Sequence, residues 1–346
     1  MSTFSFGTHE DEDFGADNLY VADDITWSEY QKAIFHQTKF SDANLSVQAV
    51  AGSGKSTTLF EIAKRCVGKP LFLAFNKDIQ LYAESKMGDA AICKTFHSFG
   101  LSLLHMDIGW YPQVHASKVW DAVSERYPFK NYKNEFCPAK IMNKIVKKMR
   151  TMGFMSYNED DIRNYILDTP GVWNYNPREA AAEEAWVFKN IPEIQSMLRL
   201  FDQYPVRDKS LPKWRQSVDF DDMVRYPCIN NIATRKEMWM HVVLVDEAQD
   251  MNPYQIHLIE QLFNKGIRTI CVGDSNQAIY AFRGAYSDSM ERLAAMTGAM
   301  ELPLSFTYRC REGIVEFTNN EIHTSEMEHV KDGGEVEYIG REGFVD

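Results

Sequence analysis

Long hydrophobic runs are missing from this 346-residue sequence. Nothing in it approaches the ~18 consecutive apolar residues of a membrane-spanning helix, and the N-terminus lacks the basic-then-apolar layout of a secretory signal, so a soluble, cytoplasmic protein is expected. Cysteine is sparse. Cys66, Cys93, Cys137, Cys228, Cys271 and Cys310 are scattered singly, without a CxxC or a Cys/His pair at metal spacing. That pattern argues against zinc and a disulfide framework and for a reducing, intracellular compartment. Lys and Arg are absent from Met1 to Asp24, which holds seven acids and is expected to be a disordered acidic tail. Without those seven charges the formal net charge of −12 falls to −5. The sign of a whole chain decides little about one groove, so a nucleic-acid partner is not excluded.

The length allows two or three domains with a full core. From Thr26 the pattern alternates between strand and helix. "LSVQAV" (45–50) reads as a strand, followed by a glycine-rich turn and the helical "KSTTLFEIAKRC". "PLFLAF" (70–75) and "AICKTF" (91–96) read as further strands, with a helix near Asp78 to Lys86 between them. Such alternation predicts an α/β fold, a parallel sheet with helices on both faces. Strand signals vanish from 105 to 217, which reads as a helical insertion. The alternation resumes with "HVVLVDEA" (241–248), a helix from Pro253, "RTICVGD" (268–274) and a helical stretch to about Met296. A new unit is expected to open at "ELPLSF" (301–306), with a helix after Arg311 and a strand at "EVEYIG" (335–340). The expected organisation is therefore a tail (1–25), a first α/β segment (26–104), an insertion (105–217), a second α/β segment (218–300) and the start of another domain (301–346).

"AVAGSGKST" (Ala49 to Thr57) lies between a strand and a helix, the context a phosphate-binding loop requires. Its glycines let the backbone curl so that successive N–H groups and the helix N-terminus face anionic oxygens. Ala51, Gly52, Ser53, Gly54, Lys55, Ser56 and Thr57 are thus expected to hold a nucleotide, with Lys55 on the β and γ phosphates and Ser56 on Mg2+. Ala49 stands where the strict pattern has Gly. "VLVDEAQDMNPYQ" (243–255) is an apolar strand that ends in carboxylates, as strands of parallel sheets do where ligands bind. Asp246 is expected to orient Mg2+, and Glu247 to activate the attacking water as general base. Asp250 and Asn252 read as helix caps.

Nucleotide binding alone leaves the machine undecided. A GTPase would carry Asn-Lys-x-Asp late in the chain, whereas "FNKD" (75–78) lacks the intervening residue and comes early. Seven segments together, "AVAGSGKS", "AFNKDI", "CKTFHSFG", "VDFDDMV", "VDEAQD", "VGDSNQAIYAFRGA" and "LSFTYRC", resemble the motifs of superfamily 1 DNA helicases of the UvrD/Rep type, particularly their F-box helicase relatives, in the family's order. The resemblance implies a P-loop NTPase with a RecA-like parallel sheet, the start of a second RecA-like domain, and 3′ to 5′ ATP-dependent helicase or translocase activity. It also implies single-stranded DNA and single/double-strand junctions as partners.

Site roles follow from the same resemblance. Gln31 matches the glutamine that reads adenine, Tyr308 would stack on that base, Gln277 would sense the γ phosphate, and Arg309 would meet it from the second domain. Phe75, Asn76, Thr95, Phe96, His97, Tyr280, Phe282 and Arg283 would line the DNA channel, aromatic faces stacking bases irrespective of sequence. Taken alone, Phe75 and Phe96 read as core residues. Phe282 stands where the family has Trp. Lys140, Lys144, Lys147, Lys148 and Arg150 form a basic run opposite Ile141, Met142, Ile145 and Met149, read as a solvated helix face or a contact with duplex phosphates. The family's later HxxKGxE motif and second arginine finger do not follow Arg309, so the alternative expectation is a nucleotide-gated single-strand-binding module without unwinding activity. A P-loop switch acting on proteins would leave the aromatic series after Gln277 without a purpose.

Overall fold

The computed structural model describes residues 26–127, 137–168, 177–278, 286, 288–322 and 326–336. The acidic segment 1–25 and the expected DNA contacts Tyr280, Phe282 and Arg283 lie outside the described residues.

Six parallel strands form the main sheet: β1 (Leu45–Ala49), β2 (Leu71–Ala74), β3 (Ile92–Thr95), β6 (Val242–Val245), β7 (Arg268–Gly273) and β8 (Met300–Leu304), in the order β3-β2-β6-β7-β1-β8. The central strands β2 and β6 are wholly apolar and buried because helices cover both faces of the sheet. On one face α1 (Glu29–Phe40), α2 (Lys55–Arg65) and α3 (Lys77–Met87) enclose a core around Phe35, Leu59, Phe72 and Leu244. On the other, α4 (Phe96–Ile108), α10 (Phe220–Ile229), α11 (Ile232–Arg235), α12 (Pro253–Asn264) and α13 (Ser289–Thr297) pack on Leu73, Val243 and Cys271.

The insertion has its own core, built from α5 (Lys118–Arg126), α6 (Pro138–Thr151), α7 (Glu159–Asp168), α8 (Pro177–Lys189) and α9 (Ile191–Leu200) around Met142, Ile145, Ile194 and Phe201. It is not wholly helical. Two short strands, β4 (Gln113–Val114) and β5 (Ser217–Val218), pair in parallel where the chain leaves and re-enters the sheet domain.

Helices α4 and α10 cross at Gly100. Pro227 has no N–H for the Met223 carbonyl, and Gly100 packs on that oxygen so closely that a Cβ would stand 2.0 Å from it.

The second unit does not open at 301. Met300–Leu304 pairs along its length with β1 as the edge of the main sheet, a place that tolerates Pro303. The departure comes after it, at β9 (Phe306–Arg311), followed by α14 (Glu312–Phe317) and β10 (Glu328–Lys331), which pairs with β9. Of the strand expected at 335–340, residues 335 and 336 have no regular structure and 337–340 lie outside the described residues.

Candidate functional site

The glycine-rich loop joins β1 to α2 at the carboxyl edge of the sheet. Gly52 and Gly54 have φ of 75° and 82°, a region that side chains with a Cβ avoid. Gly54 starts α2, whose first turn carries no acid, so its positive end is left for an anion. Lys55 and Ser56 begin that helix and Thr57 is exposed on it. Ser53 is fully buried, and its Oγ has no hydrogen-bond partner.

The end of β6 lies opposite. Asp246 Oδ2 accepts a hydrogen bond from Ser56 Oγ at 3.2 Å, and Glu247 Oε2 lies 2.9 Å from Lys55 Nζ. Glu247 has φ of 51°, uncommon for a residue with a side chain, in the turn that carries it toward the loop. Asp246 is 2% exposed, and burial, then the neighbouring Glu247, pushes its carboxyl up to about 6. Burial and Glu247 raise Asp250 to about 6 as well. Asp250 does not cap a helix; its Oδ1 is buried without a partner. Asn252 does cap α12, accepting from Gln255 N.

A hydrogen-bonded series leads onward. Gln249 Nε2 donates to Glu247 Oε2 at 2.9 Å, Gln249 Oε1 accepts from Asp274 N at 3.0 Å, and Asp274 Oδ2 accepts from Gln277 Nε2 at 2.5 Å. Gly273 makes room for it, since a Cβ there would lie 2.6 Å from Gln249 Oε1. Exposed Gln277, three positions before Tyr280 in the sequence, thus connects to Lys55 through side chains and the main-chain N–H of Asp274.

Strand β9 closes on the phosphate loop. Thr307 Oγ1 donates to the Ala51 carbonyl at 2.7 Å, and Tyr308 N donates to the Gly52 carbonyl at 3.0 Å. A Cβ on Gly52 would be 2.4 Å from Arg309 Cβ, so Arg309, itself exposed, is carried to the loop. Gln31 is 3% exposed and donates to Thr58 Oγ1 of α2, while Tyr308 OH reaches its Oε1 at 3.5 Å. Thr307 was not singled out from the sequence; lying two residues before Arg309, it carries no motif signal of its own.

The expected DNA residues divide. Phe75 is half-buried, and Asn76 is exposed, capping α3 through Ile79 N. Thr95 caps α4 and is occupied by Ser98. Phe96 is 1% exposed in the core below the sheet, so its ring is unavailable to a base, as its strand-end position alone suggested. His97 is half-buried and packs edge-on against Phe220, with ring centroids 5.7 Å apart. Burial lowers its pKa, which keeps the imidazole neutral at neutral pH. Phe220, a residue not singled out from the sequence, is 56% exposed.

Arg150 departs from the basic-face expectation. It is fully buried, donating to Asp219 at 2.6 and 2.8 Å and to Asp222 at 2.5 Å, while Lys118 of α5 donates to Asp222. Arg150 holds the Asp219 carboxyl below the usual range against the opposing cost of burial. Lys140, Lys144 and Lys147 are exposed as expected, and Lys148 is half-buried. Two insertion helices therefore grip the first turn of α10, from which Phe220 projects.

Residues 27–296 match the model of the UvrD/REP helicase N-terminal domain. F-box DNA helicase protein 1 of Schizosaccharomyces pombe is 25% identical over 296 residues, 80% of this chain and 30% of that protein. The ATP-dependent DNA helicase PcrA of Bacillus subtilis is 39% identical over 92 residues, 24% of this chain and 12% of its own length. The ATP-dependent DNA helicase Rep of Escherichia coli is 33% identical over 109 residues, 30% and 16% of the two chains. The chain spans less than a third of the length of these relatives.

Proposed function

We propose that this chain, which belongs to the UvrD/REP helicase family, hydrolyses ATP and couples the hydrolysis to movement along single-stranded DNA in the 3′ to 5′ direction. The observation that carries the proposal is the hydrogen-bonded series Lys55–Glu247–Gln249–Asp274–Gln277, which runs from the phosphate loop, through the main-chain N–H of Asp274, to a residue three positions before Tyr280 in the sequence.

The nucleotide's phosphates lie on the loop amides, with Lys55 at the β and γ phosphates and Gln31 and Tyr308 at the base. Ser56 and Asp246 offer only oxygens, and Asp246 is a buried carboxylate beside a second acid, a donor set that suits a hard divalent cation. Ser56 and Asp246 would hold Mg2+, which would supply positive charge against the nucleotide's phosphates. Glu247 accepts the proton of the attacking water, and Gln277 and Gln249 orient that water. Arg309 stabilises charge on the γ phosphate with its planar fork of donors.

DNA crosses the same edge over Phe75, Asn76, His97 and Phe220; the family resemblance adds Tyr280, Phe282 and Arg283, which lie outside the described residues. Parting a base pair costs roughly 1 to 2 kcal/mol, comparable to moving a base off an aromatic shelf, so closure of the nucleotide site suffices to shift the grip along the strand. Single/double-strand junctions are the substrate. The motor comprises residues 26–104 and 218–304, and a second motor domain begins at β9.

ATPase activity with and without single-stranded DNA tests the proposal. Several-fold stimulation is expected. ATP turnover indifferent to DNA, in a chain that binds none, overturns it in favour of a protein-directed switch.

A further inference from the structure

A cavity of about 490 Å3 opens at the base of the insertion, beside the β4–β5 pair. Its lining includes Trp110, Tyr111, His115, Arg207, Lys213 and Gln216, and among the described residues it contains no Asp or Glu. In a chain with 49 acids and 37 bases that selection is not the average surface. Arg207 and Lys213 are exposed, and neither makes an ion pair with a described residue. Of the acids close by in the sequence, Asp208 accepts from Ser210 N and Oγ, Asp121 pairs with His115 of the lining, and Glu125 accepts from the indole of Trp214. Tyr111 is 59% exposed, and its ring is held parallel to His105, with centroids 3.8 Å apart.

A flat, braced aromatic surface next to two cations that make no ion pair among the described residues matches one kind of ligand well. A nucleobase stacks on the ring, and the adjoining phosphates meet the cations. An acidic peptide would use the cations and leave the ring idle. Position favours nucleic acid too. Ser217 of β5 lines the cavity, and three residues on, about 10 Å along an extended chain, Phe220 projects beside His97.

We propose that this cavity is an additional single-stranded nucleic-acid subsite, Tyr111 stacking a base and Arg207 and Lys213 taking phosphates, continuous with the His97–Phe220 edge. It rests on the single-strand binding proposed above and extends that track onto the insertion.

The test is fluorescence anisotropy of the full chain with labelled oligo-dT of increasing length, at two salt concentrations. For the unaltered chain, affinity is expected to rise by a distinct step once the oligomer reaches the cavity. Tyr111→Ala should remove that step, a loss on the order of tenfold for long oligomers, consistent with one stacked base. Arg207→Gln with Lys213→Gln should also remove it and lower the salt slope by about 1.4, two phosphates at ~0.7 each. Both variants should melt at the temperature of the unaltered chain. Folded variants that keep the length step overturn the subsite, as does displacement of long oligo-dT from the cavity by poly-glutamate at equal charge. Failure of the unaltered chain to bind any oligomer overturns the single-strand reading itself, and the subsite with it.

Discussion

Lys55 Nζ lies 2.9 Å from Glu247 Oε2, joining two residues 192 positions apart in the chain. One begins α2 and the other follows β6, so the contact exists only because β6, β7 and β1 stand side by side in the sheet. It places a cation suited to phosphate and a carboxylate suited to water activation at one point. Lys55→Ala is expected to lose both ATP binding and hydrolysis. Glu247→Gln should keep nucleotide binding and lower turnover by 100-fold or more, in line with general-base loss of roughly 10²–10⁴. Fluorescent-nucleotide titration beside a steady-state ATPase assay separates the two. Undiminished turnover in Glu247→Gln would remove Glu247 from its role.

Gly52 supplies a second test, because its positive φ and its contact with β9 can be separated. Gly52→Ala adds left-handed strain of about 1 to 2 kcal/mol and drives a Cβ to 2.4 Å from Arg309 Cβ. Gly68→Ala carries similar strain at φ 79°, with nothing within 4 Å. Both should lower the melting temperature. Only Gly52→Ala should raise the KM for ATP, by tenfold or more, since only it displaces Thr307, Tyr308 and Arg309 from the loop. Equal KM values in the two variants would show that β9 does not form part of the nucleotide site.

Arg150 supplies a test of stability, being fully buried among acids. Removing it leaves Asp219 and Asp222 buried without their guanidinium, a loss of roughly 3 to 5 kcal/mol for a broken buried pair. Arg150→Met should therefore melt far earlier than the unaltered chain, whereas Lys147→Met on the exposed face should change stability by no more than about 0.5 kcal/mol. Chemical denaturation of the two variants decides it; equal midpoints would mean the buried ion pairs are dispensable.

Arg150 also marks how far the sequence could be read. The phosphate loop, the acidic end of β6 and the Gln277 segment were legible because each packs its chemistry into a few residues at a strand end. Its charge groups Arg150 with the exposed lysines, although it follows Met142 and Val146 at steps of four, on the buried row of α6. The periodicity carried the signal and the residue type hid it. Other features had no local signal. The seat of β8 beside β1, the β4–β5 pair, the exposure of Phe220 and the grip of Thr307 on Ala51 depend on which surfaces meet across more than a hundred residues.

The acidic pair at the end of β6 makes the site sensitive to pH in a definite direction. Burial, then Glu247, raises Asp246 to about 6 from the ordinary 3.8. A carboxyl raised in the folded state favours folding when protonated, so its contribution to stability is present at low pH and is lost as pH rises from about 4 to 6. The proposed activity is expected to run the other way, since a protonated Asp246 would be a poor ligand for a divalent cation. The Mg2+ concentration for half-maximal ATPase should be flat above pH 7 and rise about tenfold per pH unit below 6. Asp250, raised to about 6 by the same causes, lacks the contact with Ser56, so Asp250→Asn should preserve the profile while Asp246→Asn abolishes activity. A half-saturating Mg2+ concentration constant from pH 5 to 7 would show that Asp246 does not govern the cation. Loss of the profile in Asp250→Asn would move that role to the neighbouring acid.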